Sequence, residues 1–427
     1  MLPMPDNTGM APQQNTPPTT TNRRAWLTAA FACVAMMVSN GMTISGLSVY
    51  DIALSETFGW SMGDIKLRDL ITLVLTGLLA PLAGICLDRY GVRRCMLVGW
   101  SVLALCYVGY SNLSGLIEMY ALHAAFALVL VFCGLNAVII LVSQWFVRYR
   151  GTAIGIALCG SSLGGALFPQ YGTAMIAGWD WRVAFLVAII FPAILLLVSY
   201  FWLRDSPEQN ECERAQSEPQ SLPVSGKDTG EGVTFRVALR SRTFWALALI
   251  AMSTFYTVLG VQAHVYKYMR DAGFDAQIST NAISVFFLSA LAGKFVFGFL
   301  SDFMDKTKVF YLNLIIMLVG SVVLTGMNIT LVWLAMFAFG LGWGGVYSVL
   351  QLTVMNTFGT RDAGKILGTI TILDASGGGV GIWLTGVLYD HTGSYELPFT
   401  IFSGMVIFAL LCLTQVKPLK VSEPGKS

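Results

Sequence analysis

The amino-acid sequence predicts an all-α polytopic membrane protein, with twelve transmembrane helices arranged as two pseudo-symmetric six-helix bundles. The first observation is composition: 55% of the 427 residues are hydrophobic and 12% are charged, whereas soluble domains carry about 25% charged residues. The second is a series of long apolar stretches, and the third is an internal repeat. The mean hydropathy of +0.67 agrees with a chain that is surrounded by lipid.

Long stretches that are nearly free of Asp, Glu, Lys and Arg mark the spans, because a membrane-crossing helix needs about 20 mostly apolar residues. The predicted spans of the first half are Ala25–Tyr50, Leu70–Leu87 with a start near Ser61, Cys95–Ile117, Met119–Val147, Gly151–Trp179 and Val183–Leu203. Those of the second half are Thr243–Tyr266, Ala276–Ser301, two spans within Val309–Thr360, Ile366–Tyr389 and Leu397–Val416. They are numbered span 1 to span 12 in chain order.

The polar segments and the basic residues predict the domain organisation and the orientation. We expect a disordered cytoplasmic tail at 1–24, a bundle at 25–203, a cytoplasmic linker at 204–242, a bundle at 243–416 and a tail at 417–427. Of the 26 Lys and Arg residues, only five lie on the side away from the termini: Lys66, Arg68, Arg182, Lys267 and Arg270. Because cytoplasmic loops collect basic residues, both termini are predicted to be cytoplasmic. The expected location is the plasma membrane, or the inner membrane of a bacterium.

The two halves repeat each other at a nearly constant offset. The end of span 2 contains Gly84-Ile-Cys-Leu-Asp88, and the end of span 8 contains Gly298-Phe-Leu-Ser-Asp302, 214 residues later. A duplicated six-helix unit is a common plan of secondary transporters. The repeat therefore predicts two related bundles and a transport function.

The turn after span 2 is a candidate gate; residues 84–94 read Gly-Ile-Cys-Leu-Asp-Arg-Tyr-Gly-Val-Arg-Arg. Gly84 permits the close approach of another helix. Asp88 can pair with basic groups or bind the positive end of a neighbouring helix dipole. We predict a gating role for Gly84, Asp88, Arg89, Gly91, Arg93, Arg94 and, in the second half, Asp302. The alternative is that the arginines serve topology alone.

This turn resembles the signature loop of the major facilitator superfamily, and the resemblance covers the chain from Trp26 to Gln415. Val92 stands where many members carry a basic residue, and the resulting pattern is similar to the monocarboxylate-transporter and oxalate–formate-antiporter branch. Other features similar to that branch are Gly59-Trp60-Ser61, Gly160-Ser161-Ser162-Leu-Gly164 and Trp181-Arg182. The resemblance implies a secondary active transporter in which two halves rock about a central site.

Two ionisable residues fall inside predicted spans, Lys294 in span 8 and Asp374 in span 11. A charge at the bilayer centre costs about 2.5–3.5 kcal/mol on insertion scales, so each needs a function or a partner. Their counterparts in the first half are Ala80 and Gly160, which indicates a role in substrate binding rather than in the shared fold. The resemblance implies that a basic residue at position 294 binds the substrate carboxylate. The alternative is a structural ion pair of Lys294 with Asp374, and Asp374 could also carry a proton.

Further charged residues lie toward the outer side. Arg68 and Asp69 in span 2 suit an outer gate or a substrate vestibule. The alternative is self-neutralised pairs within the helix, Asp64 with Arg68 and Lys66 with Asp69. His264, near the outer end of span 7, either titrates near neutral pH or is a satisfied interfacial histidine. The candidate substrate-binding residues are therefore Lys294, Asp374, Arg68, Asp69 and His264.

Together these patterns predict a secondary active transporter of a small organic anion, with a monocarboxylate as first candidate, coupled to protons or to exchange. No nucleotide-binding loop is present, and the eight cysteines have no metal-ligand spacing, so no cofactor or metal is expected. The net charge of +2 gives no reason to expect nucleic acid, and no catalytic constellation indicates an enzyme. The expected partners are the substrate, protons and the lipid bilayer, and the expected state is a monomer. The alternative function is a proton-coupled exporter of drugs or metabolites with the same fold.

Overall fold

The computed structural model describes residues 19–146, 149–206, 232–359 and 361–416. These residues form twelve helical segments that are long and apolar enough to cross a membrane. The prediction of an all-α protein with twelve spans in two six-helix bundles is thereby confirmed. Residues 1–18 of the predicted tail at 1–24, residues 207–231 of the predicted linker at 204–242, and the predicted tail at 417–427 lie outside the described residues.

The observed bounds of the spans differ from those of the apolar stretches: span 1 is longer than predicted, whereas spans 3 and 12 are shorter. In the first half they are Arg23–Phe58, Met62–Tyr90, Val92–Ser111, Leu116–Trp145, Arg150–Gly178 and Trp181–Phe201. In the second half they are Arg242–Asp271, Ala276–Phe303, Lys306–Thr325, Val332–Phe358, Ala363–Thr392 and Glu396–Leu413. Spans 2, 4, 5, 7 and 11 run for 29 or 30 residues.

Span 1 is not one continuous helix. It consists of a helix at Thr19–Thr43, a 3₁₀ turn at Ser45–Tyr50 and a second helix at Asp51–Phe58. The sequence predicts that the span ends at Tyr50, but the chain continues as helix without leaving the bundle. As a result Asp51 lies in the interior, with 1% of its surface exposed.

Glycines allow close packing of spans within each half. A side chain added at Gly160 of span 5 would meet the Cys33 carbonyl oxygen of span 1 at 2.0 Å. A side chain added at Gly344 of span 10 would meet the Ala290 carbonyl oxygen of span 8 at the same distance. Small residues permit this backbone contact between membrane helices. Each half is therefore a tightly packed body.

The two halves meet along two pairs of spans, 2 with 11 and 5 with 8. An even number of spans places both chain ends at one end of the bundle, called here the termini side; the opposite end is the far side. On the far side the hydroxyls of Thr173 and Thr280 lie 2.5 Å apart. Gln170 Nε2 also donates a hydrogen bond to Asn281 Oδ1 at 3.0 Å. The halves are thus in direct contact on the far side.

The same pairs of spans separate on the termini side. Toward this side, six glycines of these spans would have no atom within 4 Å of an added side chain: Gly84, Gly151, Gly155, Gly298, Gly364 and Gly368. These glycines belong to spans 2, 5, 8 and 11, which carry the contacts on the far side. The structure is therefore closed on the far side and open on the termini side.

The described end of the linker is attached to the loop between spans 10 and 11. Gly232 and Gly359 form an antiparallel β-bridge, and a short helix follows at Phe235–Arg240. The Phe235 backbone N–H donates to the Asp362 carboxylate at 2.7 Å, and this hydrogen bond lowers the pKa of Asp362. The end of the linker is therefore fixed to the second half beside the start of span 11.

Candidate functional site

A cavity of about 280 Å³ lies between the two halves. Its lining comes from spans 1, 2, 4 and 5 of the first half and from spans 7, 8, 10 and 11 of the second. The volume is just below the roughly 300–1,000 Å³ of typical small-molecule sites. Lys294 and Asp374 both line this cavity, so the structure brings the two intramembrane charges to one place.

Lys294 extends from span 8 across the boundary between the halves. Its Nζ donates hydrogen bonds to the Leu158 carbonyl at 3.0 Å and to Ser161 Oγ at 2.9 Å, both in span 5. Ser161 in turn donates to the Leu158 carbonyl at 2.9 Å. A lysine ammonium has three N–H donors, so one remains for a ligand. Neutral partners hold the amine at the cavity wall while its charge stays uncompensated.

Asp374 is 3% exposed and lies on the same cavity. Among the described residues no basic group lies within 4.0 Å of its carboxylate, and Lys294 forms no ion pair with it. The structural ion pair considered from the sequence is therefore absent from this conformation. The cavity instead contains an amine and a carboxyl group that do not pair with each other.

Most of the remaining lining is uncharged, and none of it was singled out from the sequence. Phe255, Phe287 and Trp343 contribute aromatic surface. Gln262 Nε2 donates to Ser45 Oγ at 3.2 Å across the two halves. Uncharged side chains in apolar spans give no signal in a single sequence, because the same residues serve ordinary packing. Only the pairing of spans places them on the cavity.

Arg68 lies in a buried charge cluster of the first half, not on the cavity. Its Nη2 lies 2.6 Å from Asp51 Oδ1 and donates to the Leu47 carbonyl at 3.2 Å. Asp69 lies beside it, with Oδ2 at 3.8 Å from Arg68 Nε. Arg68 is 0% exposed. We therefore do not retain Arg68 and Asp69 as substrate ligands, and the predicted pair of Arg68 with Asp64 is replaced by one with Asp51.

Lys66 connects this cluster to the second half. Its Nζ lies 2.5 Å from Asp51 Oδ2 and donates to the Ala263 carbonyl of span 7 at 2.8 Å. One carboxylate, Asp51, thus holds two buried cations. Asp51 was not predicted from the sequence because the predicted end of span 1, Tyr50, lies before the observed end, Phe58.

His264 is fully buried in the second half and does not line the cavity. Its Nε2 lies 2.9 Å from the Ile382 carbonyl, which can only accept, so Nε2 carries a proton. Its Nδ1 lies 3.2 Å from the Tyr395 hydroxyl, which can donate to it. Both ring nitrogens therefore have partners in the neutral form. The geometry corresponds to the alternative of a satisfied histidine, at a buried position, and we do not retain His264 as a substrate ligand.

The predicted gating turn lies on the termini side. Asp88 is exposed, and no described residue forms a hydrogen bond or ion pair with its carboxylate. Arg93 connects the turn to the end of span 6. Its backbone N–H donates to Asp205 at 2.6 Å, and its Nε donates to the Ser199 carbonyl at 3.1 Å.

The other predicted gating residues are exposed, face open space or lie in the turn itself. Gly91 has a φ of 84°, which favours glycine. Arg89, Arg94 and Asp302 are exposed, and Gly84 faces open space.

On the far side, a carboxylate of one half binds the helix start of the other. Asp390, at the end of span 11, accepts hydrogen bonds from the backbone N–H groups of Met62 at 2.9 Å and Gly63 at 2.6 Å. These are the first residues of span 2, where N–H groups lack partners within the helix and the helix dipole is positive. This contact, called here the Asp390 clamp, joins the halves on the closed side.

The sequence around the Asp390 clamp has the same spacing as the gating turn. Residues 386–393 read Gly-Val-Leu-Tyr-Asp-His-Thr-Gly, and residues 84–91 read Gly-Ile-Cys-Leu-Asp-Arg-Tyr-Gly. The first follows span 11 on the far side, and the second follows span 2 on the termini side. The repeat at an offset of 214 residues relates turns on the same side of the membrane, so it does not include this match. A search for the spacing itself would have found Asp390.

Two packed six-helix halves around a cavity that is open on one side are the architecture of a membrane transporter. The chain belongs to the Major Facilitator Superfamily, because the model of that family matches residues 29–382. This finding confirms the family resemblance inferred from the turn after span 2.

The chain is similar to transporters from several organisms. The hexuronate transporter of Bacillus subtilis (strain 168) is 24% identical over 373 residues, which are 81% of this chain and 83% of that protein. Monocarboxylate transporter 13 of Bos taurus is 28% identical over 274 residues, 62% of this chain and 59% of that protein. A crystal structure of a bacterial homolog to the human lysosomal transporter Spinster, in an inward-facing and occupied conformation, superimposes with a TM-score of 0.70 at 14% identity. That match covers 94% of this chain and 97% of the other.

Proposed function

We propose that this protein is a secondary active transporter that carries a small organic anion, with a monocarboxylate as the leading class, by alternating access. The observation that carries the proposal is Lys294, a cation on the cavity wall with an unused donor and no described carboxylate within 4.0 Å. Hexuronate and monocarboxylate, the substrates in the names of two relatives, both carry the carboxylate that such a cation would bind.

The proposed cycle uses the two matching turns in alternation. In the present conformation the Asp390 clamp is closed, and Asp88 is exposed and has no hydrogen-bond or ion-pair partner among the described residues. With both termini in the cytoplasm, as the basic residues indicate, this conformation is open to the cytoplasm. In the opposite conformation the Asp390 clamp opens, and Asp88 binds the exposed start of span 11 near Gly364, whose added side chain would have no neighbour here.

The exporter alternative is favoured by one observation, the largely apolar lining of the cavity. It also requires that Lys294 be neutralised by Asp374, because an apolar substrate supplies no countercharge. That ion pair is absent among the described residues. The anion transporter therefore accounts for more of the site.

The direct test is uptake of labelled propanoate and 3-phenylpropanoate into proteoliposomes that contain the purified protein, with and without an inward proton gradient. We expect uptake above that of empty vesicles for at least one probe, and faster uptake with the gradient. Counterflow with unlabelled probe inside the vesicles measures exchange separately. Absence of both uptake and counterflow, in protein with a cooperative unfolding transition, would reject the anion transporter and favour the exporter.

Replacement of Asp374 by asparagine is expected to remove the gradient dependence but not exchange. The asparagine side chain has nearly the same shape but cannot take up or release a proton, and no described basic group loses a partner. In the proteoliposomes, uptake by Asp374→Asn should be the same with and without the gradient, whereas counterflow should stay within about threefold of wild type. An Asp374→Asn variant that still responds fully to the gradient would show that the proton travels elsewhere. Glu56→Gln, at an exposed carboxylate on the far side, is the matched control.

Replacement of Asp390 by asparagine is expected to weaken closure of the far side. A carboxylate at a helix start contributes roughly 0.3–2 kcal/mol, which predicts up to a roughly thirtyfold shift toward the opposite conformation. Hydrogen exchange followed by mass spectrometry should show faster exchange at the start of span 2 and slower exchange at the start of span 11. Asp64→Asn is the matched control, because Asp64 lies in the same helical turn but interacts within its own half. If hydrogen exchange at the start of span 11 is unchanged in Asp390→Asn, the Asp390 clamp does not control the conformational change.

A further inference from the structure

The face of span 8 that lines the cavity combines a charged end with an aromatic end. Phe287 and Lys294 both line the cavity and are seven residues apart, which is two helical turns and roughly 10.5 Å along the axis. Residues at this spacing lie on one face of a helix. A ligand whose carboxylate binds Lys294 and whose body follows the helix therefore reaches Phe287.

The aromatic end of this face is held rigidly. The Phe287 and Trp343 rings meet edge to face, with centroids 5.8 Å apart, and Trp343 stacks on Phe286 at 5.3 Å. Spans 8 and 10, which carry these rings, are in backbone contact at Gly344. Phe255 and Leu259 of span 7 also line the cavity. A preformed apolar wall of this kind suits a flat or branched apolar group.

Several polar groups of the lining are already bonded within the protein. Thr76 Oγ1 donates to the Thr72 carbonyl at 2.7 Å, Ser161 donates to Leu158, and Gln262 donates to Ser45. A polyhydroxylated substrate would lose hydrogen bonds to water on entry, and more than half of the side chains that it would meet in the cavity are apolar. Unpaired polar groups in an apolar site are costly, so the lining discriminates against such a substrate.

We propose that the substrate is a monocarboxylate with an apolar body, of the size of a phenyl ring or a branched alkyl chain. Its carboxylate binds Lys294 and its body lies against Phe287, Trp343 and Phe255. This inference rests on the proposed anion transport and narrows its substrate class. It separates this chain from carriers of sugar acids, although a hexuronate transporter is among its relatives.

The test is competition with labelled 3-phenylpropanoate in counterflow, supported by ligand-induced shifts in thermal unfolding of the detergent-purified protein. The probes are acetate, propanoate, butanoate, 4-methylpentanoate, 3-phenylpropanoate, glucuronate and the uncharged 3-phenylpropanamide. We expect apparent affinity to rise about fourfold per added methylene until the apolar wall is covered. Glucuronate and the amide should bind at least tenfold more weakly than 3-phenylpropanoate.

Each outcome separates the substrate class from the transport proposal. If glucuronate competes as well as 3-phenylpropanoate, the apolar class is wrong, but anion transport stands. If the amide competes as well as the acid, or if no carboxylate binds folded protein, the anion transport proposal itself fails. The half-buried Phe255 offers a variant: Phe255→Asn should reduce the gain in apparent affinity for each methylene added to the ligand. An unchanged gain in Phe255→Asn, in a protein that unfolds at the wild-type temperature, would exclude the proposed wall.

Discussion

Replacement of Lys294 by methionine is expected to abolish carboxylate uptake while the protein stays folded. Methionine retains most of the side-chain length and apolar surface but loses the charge. A hydrogen bond to a charged group contributes about 1.5–3 kcal/mol, so apparent affinity should fall roughly 10- to 150-fold. No described carboxylate is left unpaired by the change, because the hydrogen bonds of Lys294 within the described residues go to Ser161 Oγ and the Leu158 carbonyl. Thermal unfolding should therefore move little.

The measurement is counterflow and gradient-driven uptake for Lys294→Met, Lys294→Arg and wild type in matched proteoliposomes. Arginine retains the charge, so Lys294→Arg should keep more affinity than Lys294→Met even if the larger guanidinium lowers the maximal rate. Lys365→Met is the control, since Lys365 pairs with Asp362 on the termini side and is largely exposed. If Lys294→Met binds carboxylates with wild-type affinity, Lys294 does not bind the substrate carboxylate and the proposed site is wrong.

Lys294 and Asp374 could be found from the sequence because an ionisable residue in an apolar span is rare and costly. The repeat added a second criterion, since neither charge recurs in the other half. What the sequence could not show is which face of its helix each residue occupies. His264 and Arg68 were placed at a reasonable depth, yet both point into a packed half. The depth of a residue in the membrane follows from its position along a span, whereas the neighbour that its side chain contacts depends on how the spans pack together.

The fold was predictable in outline because twelve apolar stretches and a six-helix repeat leave few arrangements. Local interruptions of the helices could not be predicted. The 3₁₀ turn at Ser45–Tyr50 lets span 1 continue and places Asp51 in the interior. The Asp390 clamp was missed for a different reason. Its pattern repeats the gating turn on the opposite side, whereas the offset of 214 residues relates only positions on the same side.

Replacement of Asp51 by asparagine is expected to be the most destabilising single change in the first half. Asp51 binds both Lys66 and Arg68, and all three are at most 1% exposed. Removal of one partner of a buried ion pair costs about 3–5 kcal/mol, because the other charge is left uncompensated. Asp51→Asn removes the carboxylate that both cations share and, among the described residues, leaves only the longer ion pair of Arg68 with Asp69. It should therefore cost at least as much as Arg68→Met, which leaves Asp51 paired with Lys66.

The double variant tests whether the cluster acts as one unit. Asp51, Asp69, Lys66 and Arg68 together are neutral, Asp51→Asn leaves one net positive charge, and Arg68→Met leaves one net negative charge. The double variant is neutral again, so it should be less destabilised than the sum of the two single variants, and more stable than Asp51→Asn alone. Thermal and denaturant unfolding of the four proteins in one detergent measures this difference. Additive effects would mean that the charges are stabilised separately, and the contact of Lys66 with Ala263 would then have to be explained without the cluster.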